Sequence, residues 1–405
     1  MNTSLNEKRN SKQRWPVFDE EQRAAVEQVL QSGKVNYWTG QEGKYFEEEY
    51  AQHLGVKHTV AVANGTVALE LALFAVGLNN DDEVVIPSRT FIGTASAVVA
   101  RGGRPVCADI DVASQNVTAE TLKVAVTEKT RGIIVVHLGG WPCDMDSIME
   151  FAEERGLFVI EDCAQAHGAK YKGRPVGSFG DINAFSFCQD KIITTGGEGG
   201  LLATNDRDLW ERAWSYKDHG KNWDTVHSQN QTGGFRYLHD SFGTNFRMTE
   251  MQAAIGRLQL KKLPDWHHHR SKNAMALRDS LFGCPGLFVP RPDVNYEHAY
   301  YRLYALVDKS QLRSDWNRDK IIKNCQARGV QVGSGSCGEI YLEKAFQQFG
   351  RPLRLSGAFQ AQETSLAFLV DPTFTEQDMQ RVGGIVDEIM KKATSTSKAR
   401  RLRAA

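Results

Sequence analysis

The residues best suited to act together in this 405-residue chain are the turn Asn64-Gly65-Thr66, the acidic pair Glu161-Asp162, and Lys191 just ahead of Thr194-Thr195-Gly196-Gly197-Glu198-Gly199-Gly200. Gly65 permits close backbone approach, and Thr66 can cap the next helix while its hydroxyl and the free N–H groups face an anion, an arrangement that suits a phosphate. Glu161 and Asp162 end an apolar run, where a carboxylate facing a cleft can pair with a protonated pyridine nitrogen. A lysine between an apolar strand and a glycine-rich turn is placed to enter a cleft. Desolvation there lowers an amine from its reference of about 10.4 and helps it form and exchange a Schiff base. Ser186, shortly before Lys191, offers a hydroxyl to the same phosphate. Each feature alone has a plainer explanation: an ordinary helix cap, a metal ligand, a solvated surface lysine.

What gives the set weight is the architecture that must hold it. Short runs rich in Val and Ile predict strands at 59–63, 84–87, 104–108, 132–137, 157–161, 182–187 and 200–204, with helical patterns such as 66–76 and 145–155 between them. This alternation predicts an α/β fold: a large domain with a mainly parallel seven-stranded sheet flanked by helices. In such sheets ligands sit beyond the carboxyl ends of the strands, and the turn, the acid and the lysine each follow a strand end. After residue 260 the rhythm changes to helical stretches (270–281, 318–328) around fewer apolar runs (301–307, 330–332), which predicts a smaller C-terminal α+β domain. The expected domains are a flexible segment 1–14, a large domain 15–260, a small domain 261–391, and a basic flexible tail 392–405. Residues 15–35, including a helix at 20–32, are expected to pack with the small domain.

Composition narrows the partners. Lys+Arg and Asp+Glu are both 49, so no net field draws the chain to nucleic acid or an anionic membrane. The seven cysteines are scattered, without zinc-site pairs or a disulfide framework. No secretory signal and no apolar run of spanning length is visible, which predicts a cytoplasmic protein. His267-His268-His269 invites a metal reading, but adjacent helical residues point in different directions, so no metal is expected. His137 and His167 lie beside the proposed site, where packing or hydrogen-bonding roles are favoured over direct acid–base work. Trp15 and Trp38 are the tryptophans to consider near a cleft.

Several segments in order then carry a family resemblance: EDCAQAHGA from Glu161, FSFCQDK ending at Lys191, TTGGEGG, the Asn64-Gly65-Thr66 turn, PSRTF from Pro87, HLGGWPCDMD from His137, and GTNFRM from Gly243. From about Trp15 to Lys391 the chain resembles the DegT/StrS-type nucleotide-sugar aminotransferases, within the aspartate-aminotransferase-like fold type I enzymes that use pyridoxal 5'-phosphate (PLP). The resemblance implies that Lys191 carries the cofactor as a Schiff base and shuttles protons, and that Asp162 binds the pyridine nitrogen. Gln165 then lies near the phenolic oxygen, Gly65, Thr66 and Ser186 hold the phosphate, and Phe91 stacks on the ring. Asn245 reaches the phosphate of the neighbouring subunit, which implies a homodimer with shared sites, and Arg247 helps bind substrate. The implied reaction is ping-pong transfer of an amino group from L-glutamate to a nucleotide-linked keto sugar, a 4-keto sugar on UDP or dTDP. A PLP-dependent sugar dehydratase or lyase and a non-catalytic PLP-binding regulator are the alternatives, although the dehydratase branch carries histidine where this chain has Lys191. Two segments depart from the family pattern: one additional glycine follows the lysine, and 329–341 lacks the tyrosine–proline and histidine elements common there.

Overall fold

A computed structural model describes residues 14–228, 238–350 and 353–395. Residues 1–13 and 396–405, where flexible termini are expected, lie outside the described residues. Five strands come first: β1 (His58–Val62), β2 (Glu83–Pro87), β3 (Arg104–Ala108), β4 (Thr130–Val136) and β5 (Phe158–Asp162). A short hairpin of β6 (Lys170–Tyr171) and β7 (Arg174–Pro175) follows, then β8 (Asn183–Ser186) and β9 (Gly200–Thr204). The large sheet has seven strands in the order β1-β9-β8-β5-β4-β2-β3. Consecutive residues such as Val84-Val85-Ile86 and Ile133-Ile134-Val135 are all buried, which requires helices on both faces.

One strand runs against the rest. β9 is antiparallel to both β8 and β1, while β2–β3, β2–β4, β4–β5 and β5–β8 pair in parallel. Because β8 and β9 form an antiparallel pair, the segment between them must turn back at the carboxyl end of β8. That turn carries Lys191.

The second sheet, β10 (Leu287–Phe288), β12 (Leu303–Val307), β14 (Ser365–Phe368) and β13 (Val332–Gly333), is antiparallel in the order β10-β12-β14-β13, whereas β11 (Tyr296–Glu297) pairs with β6 of the large domain. Its own core includes Leu277, Ile321, Leu366 and Val386. A 31-residue helix, Glu250–Ser280, links the two regions and runs without a break through residue 260, with Pro264 inside it. Thr249 and Gln252 close a capping box at its start. The helix Glu20–Ser32 packs on this long helix, aided by an ion pair between Asp19 and Lys262. No helix among the described residues is long and apolar enough to cross a membrane.

Candidate active site

The strand ends converge on a cleft of about 1440 Å³ between the large sheet and the small-domain segments 301–304 and 329–337. Gly65, Thr66, Phe91, Asp162, Gln165, Ser186 and Lys191 all line it.

The helix Gly65–Ala75 begins where β1 ends. Its cap is Asn64 rather than Thr66: the Asn64 side chain accepts the Val67 N–H at 2.9 Å, because only the residue before the first helical turn has the extended backbone that lets a side chain reach back to it. Thr66 is therefore free of capping duty and lines the cleft. Gly65 packs so tightly on β8 that a Cβ there would lie 2.5 Å from Cβ of Ser186. The start of the helix and the Ser186 hydroxyl thus share one small concavity.

β5 ends in two acids that alternate across the sheet. Glu161 is buried on one side, accepting N–H bonds from Gly177 (2.8 Å), Phe179 (2.7 Å) and Gly180 (2.9 Å), with His137 Nε2 at 3.0 Å. Burial raises the Glu161 carboxyl, but the His137 interaction and these N–H groups outweigh it and leave it below its ordinary value. His137 Nδ1 accepts the Cys143 N–H at 3.0 Å, which assigns the ring proton to Nε2 and makes it the donor to Glu161. His137, Glu161 and Cys163 are the one cluster among the described residues with metal-like donor spacing, yet the histidine and the carboxylate are already engaged with each other and the backbone. His267 bonds the His298 carbonyl, while His268 and His269 face solvent.

Asp162 points the other way, into the cleft. Its oxygens accept from the Ala164 N–H (3.1 Å) and the Thr94 hydroxyl (3.2 Å). Burial pushes its carboxyl up, and those two bonds with the charge of Lys191 only partly offset it. Thr94, which did not stand out in the sequence, is itself held by Thr90 at 3.0 Å; Thr90 lies before the helix that carries Thr94, so no local spacing signalled the pair.

Lys191 is presented by the turn after β8, where Gly196 (φ 88°) and Gly197 (φ 127°) both take left-handed backbone that other residues rarely adopt. Its side chain is 16% exposed, its Nζ lies 3.5 Å from Asp190 and 5.1 Å from the Tyr301 ring centre, and its carbonyl accepts the Trp15 indole N–H at 2.8 Å. His167 braces the neighbouring strand end, with Nε2 at 2.8 Å from the Ser186 carbonyl and Nδ1 at 2.8 Å from the Tyr50 hydroxyl. Burial lowers this imidazole to about 3, so it is a neutral brace.

Gln165 accepts the Gly139 N–H at 2.7 Å through Oε1, which turns Nε2 toward Ser336 (3.5 Å) and the cleft. Gly139 and Gly140, both with positive φ, accept the N–H groups of Arg302 (3.1 Å) and Ala299 (2.8 Å), so the HLGG turn seats the small-domain edge of the cleft. Phe91 is 67% exposed at the cleft wall, an apolar face open to a planar partner. Trp15 and Trp38 do not line the cleft; Trp38 donates to Asp218 at 2.7 Å. Asn245 and Arg247 are outside the cleft of their own chain. Asn245 is exposed, and Arg247 pairs with Asp218 at 2.7 Å.

The seven-stranded sheet, the helices on both faces and the antiparallel small sheet define an α/β enzyme of PLP fold type I. Residues 16–387 match the DegT/DnrJ/EryC1/StrS aminotransferase family, and the chain belongs to that family. It is 36% identical over 314 residues to the GDP-perosamine synthase of Escherichia coli O157:H7, covering 76% of this chain and 83% of that protein. It is 34% identical over 325 residues to the dTDP-3-amino-3,4,6-trideoxy-alpha-D-glucose transaminase of Streptomyces venezuelae, covering 80% and 79%. An aminotransferase structure from Psychrobacter cryohalolentis superposes with a TM-score of 0.92 at 50% identity, covering 94% of this chain and 99% of that one. The protein is thus an aminotransferase of a PLP-dependent family.

Proposed function

We propose that this enzyme moves the amino group of L-glutamate to a nucleotide-linked keto sugar, with the keto group at carbon 4, in a cytoplasmic biosynthetic pathway. The observation that carries the reading is the convergence of Lys191, Asp162 and the Gly65–Thr66–Ser186 concavity in one cleft. The residues fit PLP: a helix start and the Ser186 hydroxyl brought side by side by a contact too close for a Cβ at residue 65, a buried carboxylate lacking full compensation, an open aromatic face and a lysine amine. When bound, the cofactor supplies an electron sink for the carbon that loses its proton. Gly65, Thr66 and Ser186 hold the phosphate, with Asn245 of a second subunit completing it in a homodimer. Asp162 keeps the pyridine nitrogen protonated, Phe91 covers the ring, and Gln165 offers Nε2 to the phenolic oxygen. The Lys191 amine takes the proton from the donor carbon and returns it one position away. Arg247 is assigned to substrate binding, from the neighbouring side of the dimer.

The named relatives act on GDP- and dTDP-linked sugars, which supports a nucleotide-sugar acceptor without selecting one nucleotide, and one of those names places its amine at carbon 3. The test is direct: purified protein, L-glutamate and a panel of UDP- and dTDP-linked 4-keto and 3-keto sugars, with products followed by mass and NMR. Amination of a 4-keto sugar is the expected result. Amination confined to 3-keto sugars, or to sugars without a nucleotide, contradicts the reading.

A further inference from the structure

Adjacent residues in a chain usually point apart, yet Asp190 and Lys191 meet. The turn closed by the Lys191 N–H and the Cys188 carbonyl (3.0 Å) folds both side chains to one side. Asp190 Oδ1 lies 3.5 Å from Lys191 Nζ, while Oδ2 accepts the Tyr301 hydroxyl and lies 3.5 Å from Arg302. Arg302 stacks over the Tyr301 ring at 4.0 Å and is tied to the Tyr301 carbonyl at 2.9 Å, so the two anchors are themselves fixed. Burial raises the Asp190 carboxyl, but Lys191, the Tyr301 hydroxyl and Arg302 together carry it below its ordinary value, and it stays an anion. Among the described residues no ion pair joins Lys191 to Asp162, which leaves that acid for the cofactor.

We propose that Asp190, locked by Tyr301 and Arg302, is the positioning residue that holds the free amine of Lys191 in the cleft whenever the lysine is not joined to the cofactor. The idea rests on the PLP reading above. A lysine amine on four methylenes samples many rotamers, and each joining event needs it beside the aldehyde carbon. With one carboxylate oxygen held by the small-domain edge and the other facing Nζ, the released amine stays over the Tyr301 ring. From there it would condense with the aldehyde: the ammonium gives one proton to water, a C=N bond replaces the C=O bond, and the two remaining amine hydrogens leave with the aldehyde oxygen as water.

The test uses cofactor-free full-length protein and two probes. PLP reports Schiff-base formation through its absorbance band, and pyridoxamine phosphate, which has no aldehyde, reports the fit of the pocket without the lysine. For Asp190→Asn the Schiff-base rate is expected to fall by about tenfold or more, with pyridoxamine phosphate affinity within about twofold of the unaltered protein. Asp190→Glu is expected to recover part of the rate, and Tyr301→Phe to lose a smaller part because one anchor remains. An Asp190→Asn rate equal to the unaltered protein overturns the proposal, as does a parallel loss of pyridoxamine phosphate binding, which would mark a structural role. An unaltered protein that forms no band and binds neither probe would instead break the PLP reading.

Discussion

A carboxylate at the end of an apolar strand gives up its hydration, and Asp162 receives only two hydrogen bonds in return. The cofactor-free protein therefore carries a cost at this residue that, in the proposed reading, a pyridinium cation would remove. Asn at 162 can accept the same Ala164 N–H and donate to Thr94, so Asp162→Asn is expected to raise the stability of the cofactor-free protein by about 1 kcal/mol or more while severely reducing turnover. The sign with pH follows from the raised carboxyl. The cost exists only when Asp162 is ionised, so the gap between variant and unaltered protein is full near neutrality and closes as the pH falls through the raised value. Paired melting curves at pH 8 and pH 4 check it, and an Asn variant less stable at pH 8 contradicts it. Lys191→Ala is expected to abolish turnover; substantial transfer from glutamate by that variant sinks the assignment of the lysine. At this scale the sequence was informative where chemistry and strand ends coincided. The strand-end pattern by itself did not separate Glu161 from Asp162, which only the family resemblance did, because which of two adjacent acids faces the cleft depends on the pleat, and the partners that settle it, Gly177 to Gly180, come from a later loop.

The elements place these groups by close packing. Gly65→Ala puts a methyl group against Ser186, with an expected stability loss of about 1–3 kcal/mol and weaker cofactor binding, read by thermal melting and PLP titration. Unchanged PLP affinity would show that this recess does not hold the phosphate. His167 acts on the neighbouring strand end. Because burial holds its imidazole at about 3, the unfolded chain binds a proton below about 6.5 that the folded chain refuses, so this residue makes stability fall as the pH drops through that window. Replacing it with Asn should flatten that part of the pH–stability curve; an unchanged slope would contradict the neutral-brace account. Seven strands and the helix Met145–Arg155 were legible because Val and Ile runs and helical spacing are local signals. The reversal of β9 was not legible, since the direction of a strand is set by its neighbours, and that reversal is what turns the lysine segment toward the cleft. In the small domain the runs at 301–307 and 330–332 overlap β12 and β13, whereas β10 and β14, four residues long or shorter, escaped notice.

At the scale of the molecule, one chain supplies all the proposed groups but two. Asn245 and Arg247 lie outside their own cleft, as residues delivered to a second copy would. A two-fold dimer with exchanged residues makes a quantitative prediction. Lys191→Ala and Asn245→Asp dimers, each impaired, should regain about one quarter of full activity when subunits are exchanged, because half the dimers are hybrids with one intact site of two. No recovery would place Asn245 in the service of its own chain or of none. Segment 329–337 forms the cleft wall opposite the sheet, and its departure from the family pattern makes it the place to look when the sugar is known.

The central claim is that Lys191 and Asp162 serve a cofactor that accepts nitrogen from an amino acid. The most direct measurement is the absorbance spectrum of the purified, PLP-supplemented protein before and after L-glutamate. A band near the visible edge that gives way to the shorter-wavelength pyridoxamine form is the expected result. A protein that shows no such band with PLP, or whose band no amino acid changes, would contradict it.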